Sequence, residues 1–173
     1  MNSRNAIIMA VYFVGLLLIQ VLLMKHLVLF NMAFAFIYVG FILMLPFEID
    51  RLLIMVIGLV TGIAVDIFYD TLGIHAAACV LISYLRPKYL DLVAPQGGYD
   101  AREMPQVRDM GLQWFAIYGF IFIMIHHSAI FFIEAWGAGM FFYTLGKIFF
   151  SSLFTLFMVI LFQYMIYPSK DSK

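Results

Sequence analysis

One stretch decides how this 173-residue chain folds: residues 58–75 read GLVTGIAVDIFYDTLGIH. Four of its residues recur at a spacing of four and would form one slowly drifting stripe along an α-helix: Gly58, Gly62, Asp66, Asp70. The side chains between them are almost all apolar. Glycines let another helix approach closely, and a carboxylate inside an apolar run is costly in lipid. The pattern therefore predicts a membrane helix whose striped face is turned toward protein.

The composition of the whole chain also indicates a lipid environment. Apolar residues make up 65% of the chain and charged residues 12%, and the mean hydropathy is +1.03. A soluble domain is roughly half apolar and about a quarter charged, and a short chain has too little interior to hide such an excess. Ten basic residues balance ten acidic ones, so no basic field attracts nucleic acid. These numbers exclude an ordinary soluble enzyme, a disordered tail and a nucleic-acid-binding protein.

The apolar runs predict an all-α integral membrane protein with a single transmembrane domain over residues 1–173. They are apolar throughout instead of alternating, which favours helices over a β-barrel. Six spans are predicted, at about 6–24, 27–45, 52–68, 74–85, 112–133 and 143–166. The third and fourth runs are short for full spans and fit either a tilted hairpin or two half-helices buried against protein. We therefore expect a six-helix bundle with a short hairpin of the third and fourth helices.

Residues 86–111 form the long polar segment and are predicted to be a cytoplasmic loop. The segment contains three prolines and the pair Gly97-Gly98, which favour turns. Six crossings place both termini on one side, and most basic residues fall on that side: Arg4, Arg51, Arg86, Lys88, Arg102, Arg108, Lys170, Lys173. Lys25 and Lys147 fall on the other side. Because basic residues mark the cytoplasmic side, both termini are predicted to be cytoplasmic.

The striped face of residues 58–75 has two interpretations. The pair Gly58 and Gly62 suits either internal helix packing, which we favour, or a partner interface. Asp66 is either a proton, ligand or partner site, or a helix-end acceptor that holds the following turn; the sequence leaves both open. Asp70 is better explained as a turn residue, with Gly73 supplying a backbone conformation that other residues avoid.

The predicted topology places all four histidines, among them His75, in the outer half of the protein. The adjacent His126 and His127, with Glu134, match no zinc motif, so an outer hydrogen-bonded polar network is favoured over a metal site. Cys79 is the single cysteine and suits a small apolar role. No spacing of nucleophile and base is recognisable, so neither an enzyme activity nor a cofactor is predicted.

Residues 58–75, followed by a short apolar run ending near residue 85, resemble the rod shape-determining protein MreD family, which shows glycines before a spanning aspartate and then a glycine that opens the next helix. The chain length and predicted layout fit as well. The resemblance implies a bacterial inner-membrane scaffold of the cell-elongation machinery without enzymatic activity. It implies an MreC-like single-span periplasmic partner, indirect coupling to MreB-like filaments and peptidoglycan synthases, and a fold like the substrate-binding subunits of energy-coupling-factor transporters.

Two functions follow as hypotheses. In the first, the protein is a scaffold that supports rod shape and side-wall peptidoglycan synthesis. Gly58 and Gly62 set helix approach, Asp66 orients the hairpin, and Gly73 with His75 shapes its outer tip. In the alternative, the protein is a small-solute-binding subunit of a transporter, with an outer-facing pocket lined by Asp66, His75, His126 and aromatic residues. An intramembrane enzyme is a weaker third possibility.

Overall fold

The computed structural model describes residues 3–100, 103–135 and 140–166, with side chains from residue 9 onward. This part of the chain is mostly helical, and its helices are α1 (Ser3–Leu22), α2 (Val39–Leu43), α3 (Arg51–Tyr69), α4 (Ile74–Leu92), α5 (Val107–Met110), α6 (Leu112–Glu134) and α7 (Phe141–Ile166). A 3-10 turn at Met24–His26 leads into an antiparallel hairpin of β1 (Val28–Leu29) and β2 (Ala33–Phe34).

Four helical segments in the described residues are long and apolar enough to cross a membrane: Met9–His26, Arg51–Tyr69, Leu112–Glu134 and Phe141–Ile166. Large apolar side chains point outward from these segments, for example Val11 and Val60, which are 67% and 54% exposed. Such exposure is unfavourable in water and ordinary in hydrocarbon. The prediction of an all-α membrane protein is therefore confirmed in this general form.

The predicted second helical span at 27–45 is wrong. The chain there forms the β-hairpin, continues without helix or strand over residues 35–36, turns at residues 37–38, and becomes helical only in the five residues of α2. Non-helical backbone is tolerated at membrane depth where protein surrounds it. Residues 35–45 are all buried, so this segment runs through the inside of the bundle and never faces lipid. We call residues 33–45 the interior segment.

The predicted end of the fourth span at residue 85, and the start of the loop at 86, are also wrong. Helix α4 continues for 19 residues to Leu92, through Arg86 and Pro87. Arg86 is fully buried because its guanidinium is hydrogen-bonded inside the protein, so it does not end the helix. Helices α3 and α4 therefore have equal length and form a full antiparallel hairpin in place of the short one expected.

The bundle has two distinguishable ends. The hairpin end carries the 3-10 turn, β1, β2 and the turn between α3 and α4; Lys25 there donates a hydrogen bond from Nζ to Phe68 O. The loop end carries residues 46–50 and the described part of 93–111. Gln163, near the end of α7, accepts a hydrogen bond from Val107 N at 2.8 Å, so α7 ends at the loop end.

Both described ends of the chain lie at the loop end. Met9, in the first half of α1, lines a small cavity together with Met104 and Gln106 of the loop segment. The same-side arrangement of the termini that the sequence predicts is thus present in the described part. The side chains of Arg4, Arg102, Lys170 and Lys173, which contribute to the predicted orientation, lie outside the described part.

Candidate functional site

The glycines of the stripe lie between α3 and α4. A Cβ atom on residue 62 would lie 2.6 Å from Ala76 N and 2.7 Å from His75 O, and one on residue 58 would lie 3.0 Å from Cys79 O. The distances at residue 62 are shorter than real Cβ contacts allow and the one at residue 58 is at the short limit, so glycine lets the two backbones come this close. The glycine pair therefore serves internal packing and leaves no room at these positions for a helix of another protein.

Asp66 caps the next helix instead of its own. Its carboxylate accepts hydrogen bonds from His75 N at 3.1 Å and Ala76 N at 2.9 Å, and also from the Thr71 hydroxyl. The two amides belong to the first turn of α4, where amides have no partner within the helix and favour a negative charge. The side chain is only 6% exposed, and these three bonds offset the cost of its burial. Of the two interpretations of Asp66, its hydrogen bonds fit the helix-end acceptor.

The turn between the two helices uses two left-handed residues. Asp70 has a φ of 56° and ends α3, and Gly73 has a φ of 85° and precedes α4. Both are exposed, as expected for a solvated or interfacial turn. Gly73 offers no side chain to cap α4, which explains why the cap comes from Asp66. The structure thus assigns Asp70 and Gly73 to the shape of the tip.

His75 belongs to a buried polar cluster centred on Tyr38. The Tyr38 hydroxyl lies 2.6 Å from His75 Nδ1 and 3.0 Å from His126 Nε2. All three side chains are at most 1% exposed. Since the hydroxyl has one hydrogen and also accepts, it bonds both rings by donating to one nitrogen and accepting from the other. Tyr38 therefore joins the interior segment to α4 and α6.

His127 joins the interior segment to α6 and α7. Its Nδ1 lies 2.8 Å from Ile123 O, which can only accept, so Nδ1 carries the proton. In the neutral ring Nε2 then accepts from the Thr155 hydroxyl at 3.1 Å, and the same hydroxyl oxygen accepts from Phe36 N at 3.0 Å. This chain of bonds gives the Phe36 amide a side-chain acceptor on α7, in place of the main-chain carbonyl that a helix would supply.

Other side chains pair the extended backbone in the same way. Ser151 Oγ accepts from Phe34 N at 3.0 Å, and Gln20 Nε2 donates to Ala35 O at 3.1 Å. Gln20 also donates to the Tyr69 hydroxyl at 2.7 Å. Buried main-chain groups are costly when unpaired, so these polar residues make an extended path through the bundle possible.

Glu134 is not a hydrogen-bonding partner of the histidine pair. It forms an ion pair with Lys147 at 3.0 Å, and Lys147 also lies 4.1 Å above the ring of Phe131. The predicted polar network of His126, His127 and Glu134 is therefore two separate groups: a buried one around Tyr38 and Thr155, and a partly exposed ion pair at the hairpin end.

Arg86 closes the other end of the interior segment. Its Nε donates to the Tyr118 hydroxyl at 2.7 Å, and its terminal nitrogens donate to the carbonyl oxygens of Leu43, Leu45 and Pro46. Carbonyl groups at the end of a helix have no partner within it and favour a positive charge. Arg86 therefore holds the end of α2 and fixes where the interior segment leaves the bundle.

Sequence reasoning did not single out several residues of this site: Gln20, Tyr38, Arg86, Tyr118, Ser151, Thr155. Ser151 and Thr155 share one face of α7 at a spacing of four, which was a detectable polar stripe. Arg86 was missed because the helix-breaking Pro87 follows it, so the sequence predicted a loop from residue 86 onward. Tyr38 had no local signal, because its role depends on the chain departing from a helix.

The arrangement of the buried cluster around Tyr38 and Thr155 fits a structural role. Cys79 is a free thiol whose Sγ lies 3.9 Å from His126 Nε2. Within residues 3–100, 103–135 and 140–166, no group of three or more His, Cys, Asp or Glu side chains is arranged to hold a metal ion. The polar groups are mostly satisfied by one another and by main chain, which fixes the relative positions of α4, α6 and α7 around the interior segment.

An apolar groove of about 500 Å³ lies beside the β-hairpin and is lined by Leu29, Phe30, Met32, Ala33, Phe150, Leu153, Phe154 and Phe157. Phe30 is 95% exposed and has a φ of 52°, next to Asn31 with a φ of 56°. Left-handed backbone is unfavourable for a bulky residue, so the turn presents Phe30 at a cost. The groove thus combines an apolar lining with an exposed aromatic side chain held at its edge.

Comparisons with family models, curated proteins and solved structures find no match for this chain. The family resemblance of residues 58–75 therefore rests on those residues, the chain length and the predicted layout alone.

Proposed function

We propose that the protein is a membrane scaffold of the bacterial cell-elongation machinery that binds an MreC-like single-span partner and supports rod shape and side-wall peptidoglycan synthesis. The coupling to MreB-like filaments and peptidoglycan synthases would be indirect, through that partner. The proposal takes its partner class from the resemblance of residues 58–75. The observation that favours it over the alternative is that the protein's own interior segment fills the centre of the bundle.

The alternative, a small-solute-binding subunit of a transporter, needs an accessible pocket at this place. Its expected lining residues Asp66, His75 and His126 are 6%, 1% and 0% exposed and are bonded to the protein itself. Phe36 fills the space among the histidines, with its ring centroid 5.2 Å from that of His75 and 5.1 Å from that of His127. A solute there would have to displace both Phe36 and Tyr38, so the arrangement favours the scaffold.

The groove beside the β-hairpin is the surface we assign to the partner helix. Its α7 wall, residues 150–157, begins nine residues after Phe141, roughly 14 Å along the axis of a helix about 39 Å long. The exposed turn at Phe30 and Asn31 therefore lies beside the membrane-spanning part of α7. Lipid cannot pair the main-chain groups of such a turn, whereas a protein helix with polar groups at that level can.

The orientation of the proposal places the loop end in the cytoplasm and the hairpin end outside the inner membrane. Among the described residues, four basic ones lie toward the loop end, Arg51, Arg86, Lys88 and Arg108, and two lie at the hairpin end, Lys25 and Lys147. Since excess basic residues mark the cytoplasmic side, this arrangement supports a cytoplasmic location of both termini. The turn at Asp70 and Gly73 would then face the periplasmic part of the partner.

Photo-crosslinking in native membranes tests the proposal. A photoreactive amino acid replaces Phe150 or Phe157 in the groove, and Val56 or Val60 on the outward face of α3 serves as the control, since these are comparably exposed. We expect the groove positions to capture one single-span protein with a periplasmic domain and the control positions to capture it several-fold less. Equal capture at all four positions, or a stoichiometric small molecule in the purified protein by mass spectrometry, would contradict the scaffold.

A further inference from the structure

We propose that a second site, between α3 and α4 at the loop end, binds an anionic phospholipid, with the phosphate of its headgroup at Arg51 and Lys88 and the start of an acyl chain in the pocket behind them. The pocket has a volume of about 220 Å³ and is lined by Arg51, Leu52, Met55, Ser83, Tyr84, Pro87 and Lys88. It is separate from the interior segment and from the groove at the β-hairpin, so it is independent of the scaffold proposal.

The two ionic side chains that line this pocket are both cations. Arg51 pairs with Asp91 at 3.0 Å, but both side chains are largely exposed, 73% and 67%, so the pair holds the guanidinium only weakly. Lys88 donates one of its three hydrogens to the Tyr84 hydroxyl at 2.6 Å and keeps two free for an acceptor. The pocket therefore offers several charge-assisted donors at its rim.

Ser83 adds a polar group to the wall of the pocket. It is one of the lining residues, and its hydroxyl is fully buried, lies against Gly58 and has no hydrogen-bond partner in the part of the chain that the structure describes. Pro87, four residues later, has no N–H, so the Ser83 carbonyl also lacks its usual helical donor. A buried hydroxyl without a partner is costly. An ester oxygen of a lipid that reached between α3 and α4 would accept a hydrogen bond from it.

The position of the pocket points to a lipid over a soluble anion. Arg51 is the first residue of α3 and Lys88 lies in the last turn or two of α4, so the charges stand at the membrane boundary. Leu52 and Met55 line the apolar wall, and it continues along α3 to Val56 and Leu59, which face outward. A cationic rim above an apolar wall that opens toward the bilayer fits a phosphate attached to an acyl chain.

Native mass spectrometry of the purified full-length protein in mixed micelles tests this site. The micelles contain phosphatidylglycerol or phosphatidylcholine, and the fraction of protein carrying one lipid is measured. The variants R51Q and K88Q each remove one charge from the rim, and R108Q removes one exposed charge at the same end outside the pocket. M55W keeps the charges but fills the space beside the apolar wall with a larger side chain. R51K/K88R exchanges the two side chains and keeps both positive charges.

We expect wild-type protein, R108Q and R51K/K88R to retain phosphatidylglycerol at least fivefold more than phosphatidylcholine. R51Q and K88Q should lose most of this preference, and M55W should lose retention of both lipids. Equal preference in R51Q, K88Q and R108Q would overturn the proposal, as would unchanged retention in M55W. Complete displacement of the lipid by millimolar inorganic phosphate would overturn it as well, because the site would then recognise the anion alone. Monodisperse elution of each variant controls for folding.

Discussion

The hairpin of α3 and α4 and the interior segment cross the same bundle, but they differ in where their main-chain groups find hydrogen-bond partners. In the hairpin most main-chain groups between the helix ends pair within their own helix, and glycines bring the two helices together. In the interior segment Phe34 N, Ala35 O and Phe36 N pair with side chains of the surrounding helices. A mutation at a glycine of the hairpin therefore acts through steric contact, whereas one at a partner of the interior segment acts through unpaired polar groups.

The substitution of Gly62 with leucine should have the largest effect. A side chain there meets the main chain of α4, which cannot move aside without separating the helices. We expect loss of about 3 kcal/mol or more, or failure to accumulate folded protein, since overpacking costs ~1–3 kcal/mol even where neighbours can adjust. Gly15→Leu is the matched control, because no atom lies within 4 Å of the position of its Cβ. Fluorescence-detected size exclusion after heating measures both; similar melting would contradict the close packing.

Asp66→Leu should rank next. It leaves two amides of α4 and the Thr71 hydroxyl without their acceptor, each at a cost of ~1–3 kcal/mol when buried. Asp66→Asn keeps one oxygen and should be milder. Asp70→Asn, in an exposed left-handed position that asparagine tolerates, should be nearly neutral. Thermal unfolding of the three variants checks the capping role: Asp66→Leu should lower the melting temperature most, Asp66→Asn less, and Asp70→Asn hardly at all. Equal effects of the two asparagine variants would refute it.

Thr155→Val tests the interior segment with an almost isosteric change. It removes the acceptor of Phe36 N and the partner of His127 Nε2, and should destabilise the protein by roughly 1–3 kcal/mol. Thr144→Val on the same helix is the control, because within the described residues that hydroxyl bonds Met140 O, just before the helix, and no group of the interior segment. Both variants are compared by thermal unfolding in the same detergent. If both lose the same small amount, the extended backbone does not depend on α7.

Phe30→Gly should have the smallest effect on stability and a clear one on binding. Glycine removes the left-handed strain of ~1–2 kcal/mol but adds flexibility that costs about 0.5–1 kcal/mol. We therefore expect a melting temperature that is unchanged or slightly raised, together with reduced crosslinking from Phe150 to the proposed partner. Leu72→Ala, at the fully exposed turn between α3 and α4, controls for loss of an outward apolar side chain. Unchanged crosslinking in Phe30→Gly would show that Phe30 does not contribute to binding the partner.

The difference between the two regions also explains how far the sequence could be interpreted. The stripe of Gly58, Gly62 and Asp66 is a local pattern, and it correctly predicted a helix with a protein-facing side. The sequence limited the role of Asp66 to two possibilities, but choosing between them required the position of the α4 amides. The extent of α4 was missed because Arg86 and Pro87 are polar and helix-breaking by composition, and only their buried partners make them helical.

The interior segment could not be predicted in the same way. Hydropathy records that residues 27–45 are apolar, and an apolar run has the same hydropathy whether it is helical or extended. What makes it extended is the presence of Ser151, Thr155 and Gln20 at the right height on other helices. The sequence likewise placed the histidines in the outer half of the protein, but the role of Tyr38 as the common partner of His75 and His126 depended on the three-dimensional path of the chain.

The pairing of Phe34 and Phe36 with α7 has a consequence for biosynthesis. Ser151 and Thr155 follow their partners by 117 and 119 residues, so they are synthesised long after the segment that they pair. Until then Phe34 N and Phe36 N lack the hydroxyl acceptors of the folded protein, and unpaired main-chain groups are not stable in lipid. The extended path of the interior segment is therefore completed only when α7 is made and packs beside it.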